Sequence, residues 1–300
     1  MALRKNPRIR ERELMDPIDS GSGLDSGSGE VSELPETSRM SLSALRETLS
    51  TLDSEAEINS WCEALSRDQR VGAREIGERM LRRLRAEQVE SERLERLFEH
   101  RARLIEGGCQ VVAGVDEVGV GPLAGPVVAA AVVLPARVDL PGLNDSKKLS
   151  SKARERLDRA IREQALGFAI GEVESVEIDR INILQATLES MRRAVNALES
   201  QLRLDHVLVD ARKIPGVSIA QTALIHGDAI DGSIAAASIV AKVYRDGLMK
   251  RFAVDYPGYG LERHMGYGTS EHIDALQRLG VSPIHRRSFS PVAAAAKRKA

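Results

Sequence analysis

From residue 109 onward, short runs of β-branched and small apolar residues alternate with longer stretches of helical periodicity, and this alternation constrains the fold more than any other feature of the chain. The apolar runs lie at residues 111–115, 127–134, 167–173, 206–209 and 218–225. Each is too short for a helix and reads as a strand. Between them, Ser150 and Ser151 can cap a helix running to about residue 164. Leu184, Leu188, Met191, Val195, Leu198 and Leu202 form one apolar stripe at spacings of four and three. Residues 233–252 are rich in Ala and Ile and read as a buried helix, and residues 270–279 form another, stopped by Gly280. Five strands interleaved with helices predict an α/β layered domain with a mixed five-stranded sheet and a helical C-terminal part.

The first 108 residues read differently. Residues 1–40 carry a tandem Gly/Ser hexad, at 18–23 and 24–29, and too little apolar surface to offset the entropy of ordering; they are expected to be a disordered tail. Residues 41–108 are expected to be a helical extension. Leu42, Leu45, Leu49 and Leu52 make one stripe; Ile76, Met80, Leu81, Leu84, Leu94, Leu97, Phe98 and Leu104 continue the periodicity. Arg and Glu fill the remaining faces. Such mixed charge is the mark of a solvated surface, with a nucleic-acid-binding arm as the sharper alternative. Asp and Glu outnumber Lys and Arg before residue 109, and the reverse holds after it. A slightly basic second part is compatible with a phosphate backbone without requiring one.

No apolar run approaches the ~20 residues that span a bilayer, and no apolar segment follows the charged N-terminus, so neither a membrane span nor a secretory signal is expected. Cys62 and Cys109 lie far apart, which argues against a disulfide framework and for a cytoplasmic setting. A monomer is expected.

The chemistry is signalled by carboxylates placed after strands. Asp116 and Glu117 follow the run 111–115, Asp210 follows 206–209, and Asp228 follows 218–225. Each alone could be a cap or a turn residue; their shared placement is what points to a site, because ligands of open α/β sheets bind at strand ends. Adjacent residues on a strand face opposite sides, so Asp116 and Glu117 can act together only if a bend or bulge turns them, which Gly119, Gly121 and Gly125 would permit. Carboxylates without a His/Cys cluster suit Mg²⁺ or Mn²⁺ rather than zinc. Four of them can hold two ions and support phosphodiester cleavage. A dinucleotide-binding loop fits poorly: the glycine spacing differs, Pro122 interrupts it, and the acids would face a pyrophosphate.

Residues 114–135 (GVDEVGVGPLAGPVVAAAVVLP), Asn144 to Leu149 (NDSKKL), Val209-Asp210-Ala211, Gly227-Asp228 with residues 233–243, Gly266-Tyr267-Gly268-Thr269 and residues 282–289 (SPIHRRSF) follow one another in the order found in bacterial ribonuclease HII. The chain resembles that family over residues 109–300. The resemblance implies a ribonuclease H-like fold for that part; it does not cover residues 1–108, whose helical extension rests on periodicity alone. It implies an endonuclease that cuts RNA in RNA–DNA hybrids and on the 5′ side of ribonucleotides embedded in duplex DNA, by two-metal-ion hydrolysis. It makes Asp116, Glu117, Asp210 and Asp228 the catalytic metal ligands. Gly119 and Gly121 would read the ribose 2′-hydroxyl through the main chain, Tyr267 would stack on the sugar, and Lys147 and Lys148 would lie near the substrate backbone. A 2′-hydroxyl is what lets a protein tell RNA from DNA, and Tyr267 is conspicuous in a chain with only 3% aromatic residues. The sequence departs from the family at three places. Val120 stands where Arg is usual, His226 where Lys is usual, and Met265 where another basic residue is expected. Val120 therefore belongs to the expected substrate-binding set but brings no charge to it. A non-catalytic nucleic-acid-binding protein with the same fold is the second reading; four acids facing phosphates argue against it.

Overall fold

The computed structural model describes residues 35–52 and 54–297. They form two compact units, one reaching Arg83 and the other starting at Leu84.

The first unit contains α1 (Leu42–Ser50), α2 (Glu55–Ser66) and the first half of α3 (Val71–Leu97). Ser41 and Ser54 cap α1 and α2 by accepting from backbone amides. Leu45, Leu49, Leu65 and Ala73 are buried together, with Trp61, Ile76 and Met80 against them. Of the segment expected to be a disordered tail, residues 1–34 lie outside the described residues. Thr37 and Met40 are tied down: Arg70 donates to both their carbonyls, and Thr37 Oγ1 donates to Asp68 at 2.8 Å. The mixed charges of α3 pair along the helix, as Arg82–Glu78 and Arg93–Glu90 do, which favours the solvated-face reading.

The second unit holds the rest of α3, α4 (Glu99–Glu106) and a five-stranded sheet: β1 (Val112–Val118), β2 (Val127–Val133), β3 (Gly167–Val173), β4 (His206–Asp210) and β5 (Ala220–Leu224). Its helices are α5 (Ser151–Gln164), α6 (Ser175–Ile181), α7 (Ile183–Glu199), α8 (Gly227–Ile230), α9 (Gly232–Asp255), α10 (Leu261–His264), α11 (Ser270–Leu279) and α12 (Ser290–Lys297). The strand order is β3-β2-β1-β4-β5. The pairs β3–β2 and β2–β1 are antiparallel; β1–β4 and β4–β5 are parallel. The expected mixed five-stranded sheet is present.

Both faces are covered, so β2 is apolar throughout. Val128, Ala130 and Val132 pack with α9 and α5, while Ala129, Ala131 and Val133 pack with α7. The helices lie close enough to need glycine under them. A Cβ at Gly114 would come within 2.1 Å of Ser233 C on α9, and one at Gly171 within 1.9 Å of Ser190 O on α7. Backbone cannot yield as a side-chain tip can. Gly114→Ala should therefore cost about 1–3 kcal/mol by overpacking, read as a thermal midpoint lowered by at least about 3 °C.

The N-terminal boundary differs from the expected one. Leu97 is buried among β2, α5 and α9 residues, and Leu94 and Phe98 pack against the same cluster. Leu104 and Ile105 pack with Val112, Leu208 and Ile234. Arg101, 4% exposed, donates to the carbonyls of Leu134 and Pro135. Residues 84–106 are thus built into the sheet unit, and the break at 108 that the change of pattern suggested separates elements that share a core.

Candidate active site

Asp116 and Glu117 lie inside β1, not after it, because β1 pairs with β2 as far as Val118↔Val128. Alternation along β1 sets the sides. Ala113 and Val115 belong to the α7 face. Val112 and Gly114 face α9, and Asp116 follows them. On β4, Val207 and Val209 join the α7 face and Leu208 the α9 face, so Asp210, its last residue, also turns toward α9. Parallel pairing of β1 with β4 runs to Val115↔Val209, which makes Asp116 and Asp210 the next pair in register. Glu117 starts from the opposite face. Its carboxylate nonetheless joins theirs: one oxygen from each of Asp116, Glu117 and Asp210 lies within 4.8 Å of the others. Of the bend or bulge that was expected, the bulge is absent, since the β1–β2 register is unbroken. β4 stops at Asp210, so the longer Glu117 side chain meets the other two at the sheet's end.

Asp228 is not at a strand end either. β5 stops at Leu224, and Asp228 sits in the single turn of α8. His226, exposed and left-handed at φ 58°, turns the chain there. Gly227 donates its amide to Asp210 Oδ1 at 2.6 Å; a Cβ on Gly227 would press on Ile234 at 2.6 Å. Asp228 is 5% exposed, and Lys147 Nζ lies 3.1 Å from its Oδ2. Lys147 comes from a 3₁₀ turn at Ser146–Lys148, and its own amide donates to the Asp145 side chain. Its own side chain is largely exposed, as is Lys148.

Burial raises the pKa of Asp116 well above the ordinary carboxylate range, and the charges of Glu117 and Asp210 push it further the same way, while a Ser238 hydroxyl opposes the rise. Ser238 also meets Ser146 at 2.9 Å, tying α9 to the lysine turn. Glu117 is raised by burial and then by Asp210. Asp210 is raised by burial, against its bond from Gly227, with Asp228 adding to the rise. Three like charges in a poorly solvated corner call for a cation. Glu117 Oε2 is buried without a hydrogen-bond partner. An all-oxygen donor set with one oxygen to spare fits a hard divalent ion such as Mg²⁺ or Mn²⁺.

The glycine loop runs from Gly119 to Pro126 beside these acids. Gly119 has φ +89°, and a Cβ there would meet Arg245 Nε at 2.2 Å, so only glycine fits. Gly121 lies against Tyr267, whose Cε1 would be 3.6 Å from a Cβ at that position. Tyr267 is 43% exposed and Val120 38%, so both present surface outward.

Two residues beneath the loop escaped the sequence reading. Arg245 and Arg286 are both fully buried. Arg286 donates from Nε to Gly125 O (3.0 Å), and its terminal nitrogens donate to Val120 O (2.9 Å) and Gly119 O (2.6 Å). Arg245 donates to Pro126 O (2.9 Å), Ala124 O (3.1 Å) and Met265 O (3.0 Å). Arg245 left a signal: it stands at helical spacing from Ala241, Leu248 and Met249 in a helix that reads as buried. Arg263, a candidate to make up for the cation missing at 120, is engaged by Glu262 and Glu271. A buried histidine group, also unforeseen, carries Tyr267. His272 Nδ1 lies 2.9 Å from Tyr267 O, His272 stacks on His264 at 4.6 Å, and its Nε2 is 3.0 Å from His285 Nε2.

No helix among the described residues is long and apolar enough to cross a membrane. The profile of the ribonuclease HII family matches residues 113–292. A ribonuclease HII of Desulfitobacterium hafniense (strain Y51) is 49% identical over 255 residues, covering 85% of this chain and 96% of that protein. One from Myxococcus xanthus (strain DK1622) is 50% identical over 231 residues, covering 77% and 78%. Among solved structures, the ribonuclease H2 of Pyrococcus horikoshii OT3 aligns with a TM-score of 0.53 at 27% identity, covering 63% of this chain and 98% of that one.

Proposed function

The chain belongs to the ribonuclease HII family, and on that premise we propose that it cuts the RNA strand of RNA–DNA hybrids and the 5′ side of ribonucleotides embedded in duplex DNA, leaving a 3′-hydroxyl and a 5′-phosphate. As a member of the family it is a ribonuclease H, a hydrolase that cuts RNA internally. The observation that carries the finer reading is the meeting of Asp116, Glu117 and Asp210 within 4.8 Å, next to a glycine loop.

Asp116, Glu117, Asp210 and Asp228 would hold two Mg²⁺ or Mn²⁺ ions. Bound there, the ions would supply Lewis acidity to activate a water and to stabilise the leaving oxygen. Asp210 is oriented for this by the Gly227 amide and Asp116 by Ser238. Lys147, exposed and resting on Asp228, can turn to a phosphate and contribute sequence-independent attraction, as can Lys148. Gly119 and Gly121 let the main chain approach a ribose closely enough to bond its 2′-hydroxyl, and Tyr267 offers its exposed ring to the sugar beside it. The protein would act as a cytoplasmic monomer, in the repair of DNA carrying ribonucleotides.

A duplex with one embedded ribonucleotide tests this. Cleavage on its 5′ side should require Mg²⁺ or Mn²⁺ and stop with chelator, and an all-DNA duplex should stay intact. Binding without cleavage under every metal condition would leave only the non-catalytic reading.

Val120 gives a finer test. Its side chain is partly exposed while its carbonyl is held from below. Val120→Arg should therefore project outward and add one charge-assisted contact to phosphate, raising kcat/KM on a single embedded ribonucleotide by about 10-fold. The gain should be smaller on long hybrids, where many 2′-hydroxyls offer alternative registers. No gain on either substrate would mean that Val120 faces no phosphate.

A further inference from the structure

The loop beside the acids is held from inside by a charge. Arg286 is 0% exposed, and burying a guanidinium is costly unless its donors are taken. Here each of its three nitrogens donates, to the carbonyls of Gly125, Val120 and Gly119, with the Phe289 ring 5.2 Å from the guanidinium carbon. Burial lowers its pKa to about 9, which leaves it charged at neutral pH.

A trans peptide is planar, and its N–H points away from its C=O. Drawing Gly119 O inward therefore aims the Val120 amide outward, and drawing Val120 O inward aims the Gly121 amide outward. Among the described residues no acceptor takes either amide. Without the arginine, Gly119 and Gly121 would leave this stretch free to rotate, since glycine restricts φ and ψ least. The same glycines that admit a ribose closely would then present their amides in no fixed direction. A fixed donor set is what a 2′-hydroxyl reader needs, because a displacement of about 1 Å in a substrate-positioning group can cost ~100-fold in rate.

We propose that Arg286 is the positioning residue for ribose recognition: by pinning the carbonyls of Gly119 and Val120 from below, it aims the Val120 and Gly121 amides at the 2′-hydroxyl. It touches neither substrate nor metal. The inference rests on the reading that this loop reads the ribose.

Arg286→Lys tests it, since a lysine keeps the charge but cannot bridge three carbonyls in one plane. Four quantities are measured on wild type and variant. They are the thermal midpoint, the Kd for an all-DNA duplex, the Mn²⁺-induced rise in midpoint, and kcat and KM on the same duplex with one ribonucleotide. The variant should fold, bind all-DNA duplex and respond to Mn²⁺ as wild type does, and keep KM within about 3-fold, while kcat falls about 30-fold. A kcat within 2-fold of wild type overturns the proposal. So does a loss matched by a lost Mn²⁺ response, since Arg286 would then support the whole site rather than the loop. Should Arg286→Lys fail to fold, Phe289→Leu loosens the guanidinium without removing it; a kcat-selective loss of about 3-fold is then expected, and unchanged kcat overturns the proposal. If wild type itself neither binds nor cuts the ribonucleotide-containing duplex in preference to all-DNA, the reading of the loop falls, whatever Arg286 does.

Discussion

Asp116→Asn should reduce Mg²⁺-dependent cleavage by about 10³-fold while the protein stays folded, and Asp210→Asn should do nearly the same. The change removes one ligand charge and keeps the shape. Each supplies its own oxygen to the cluster, from β1 and from β4, so neither can take over from the other. Near wild-type rates in either variant would show that the site is not built on these acids. The metal-free protein supplies an independent check. Burial, then Glu117, then Asp210 hold the Asp116 pKa well above the value near 3.9 it would have in an unfolded chain. A carboxyl raised in this way stabilises the fold below the unfolded value and loses that contribution as the pH rises through the folded one. Wild type without metal therefore bears the whole penalty at high pH, and Asp116→Asn does not. The variant should melt about 2–4 °C higher than wild type at pH 8 for each ~1 kcal/mol of repulsion relieved, and the gain should shrink toward pH 5. A gain independent of pH would mean that the substitution acts through packing.

A chain starting at Leu84 should fold and cleave with the kcat of the full protein, whereas one starting at Gly107 should be largely unfolded at 37 °C. Removing residues 84–106 takes Leu97 out of the core shared by β2, α5 and α9, a loss of about 2–5 kcal/mol on its own. It also strips Phe98 from the start of α9, where a Cβ on Gly232 would lie 2.4 Å from its ring, and takes from the Leu134 and Pro135 carbonyls the donor that Arg101 supplies. Against a total stability of about 5–15 kcal/mol, the sum is disabling. Circular dichroism melts of the two shortened chains decide the matter, and midpoints within about 3 °C of each other would restore the boundary at 108. Salt titration of KM in the Leu84 chain also tests the charged helices that it lacks. An unchanged KM at low and high salt means that they hold no nucleic acid.

The strands, the two large helices and the four acids were legible in the sequence because the information is local. A strand buried on both faces reads as an apolar run, as at Val127–Val133, and a helix on one face of a sheet reads as a stripe, as along α7. Acids that follow such runs are conspicuous, and their shared placement after apolar runs pointed to Asp116, Asp210 and Asp228 as one site. What the sequence could not supply depended on neighbours far along the chain. The union of Glu117 with Asp116 came from β4 ending where β1 continues, so no bulge was needed. The seat of Asp228 came from the turn at His226, and its partner Lys147 from a segment 81 residues away. Arg245 and Arg286 reach the loop across 119 to 167 residues, and the place of residues 84–106 in the sheet's core was hidden by their charged outer faces. Periodicity records which side of an element is buried, but not against what. Pairing, burial of charge and the reach of long side chains are settled only when distant segments compete for the same space.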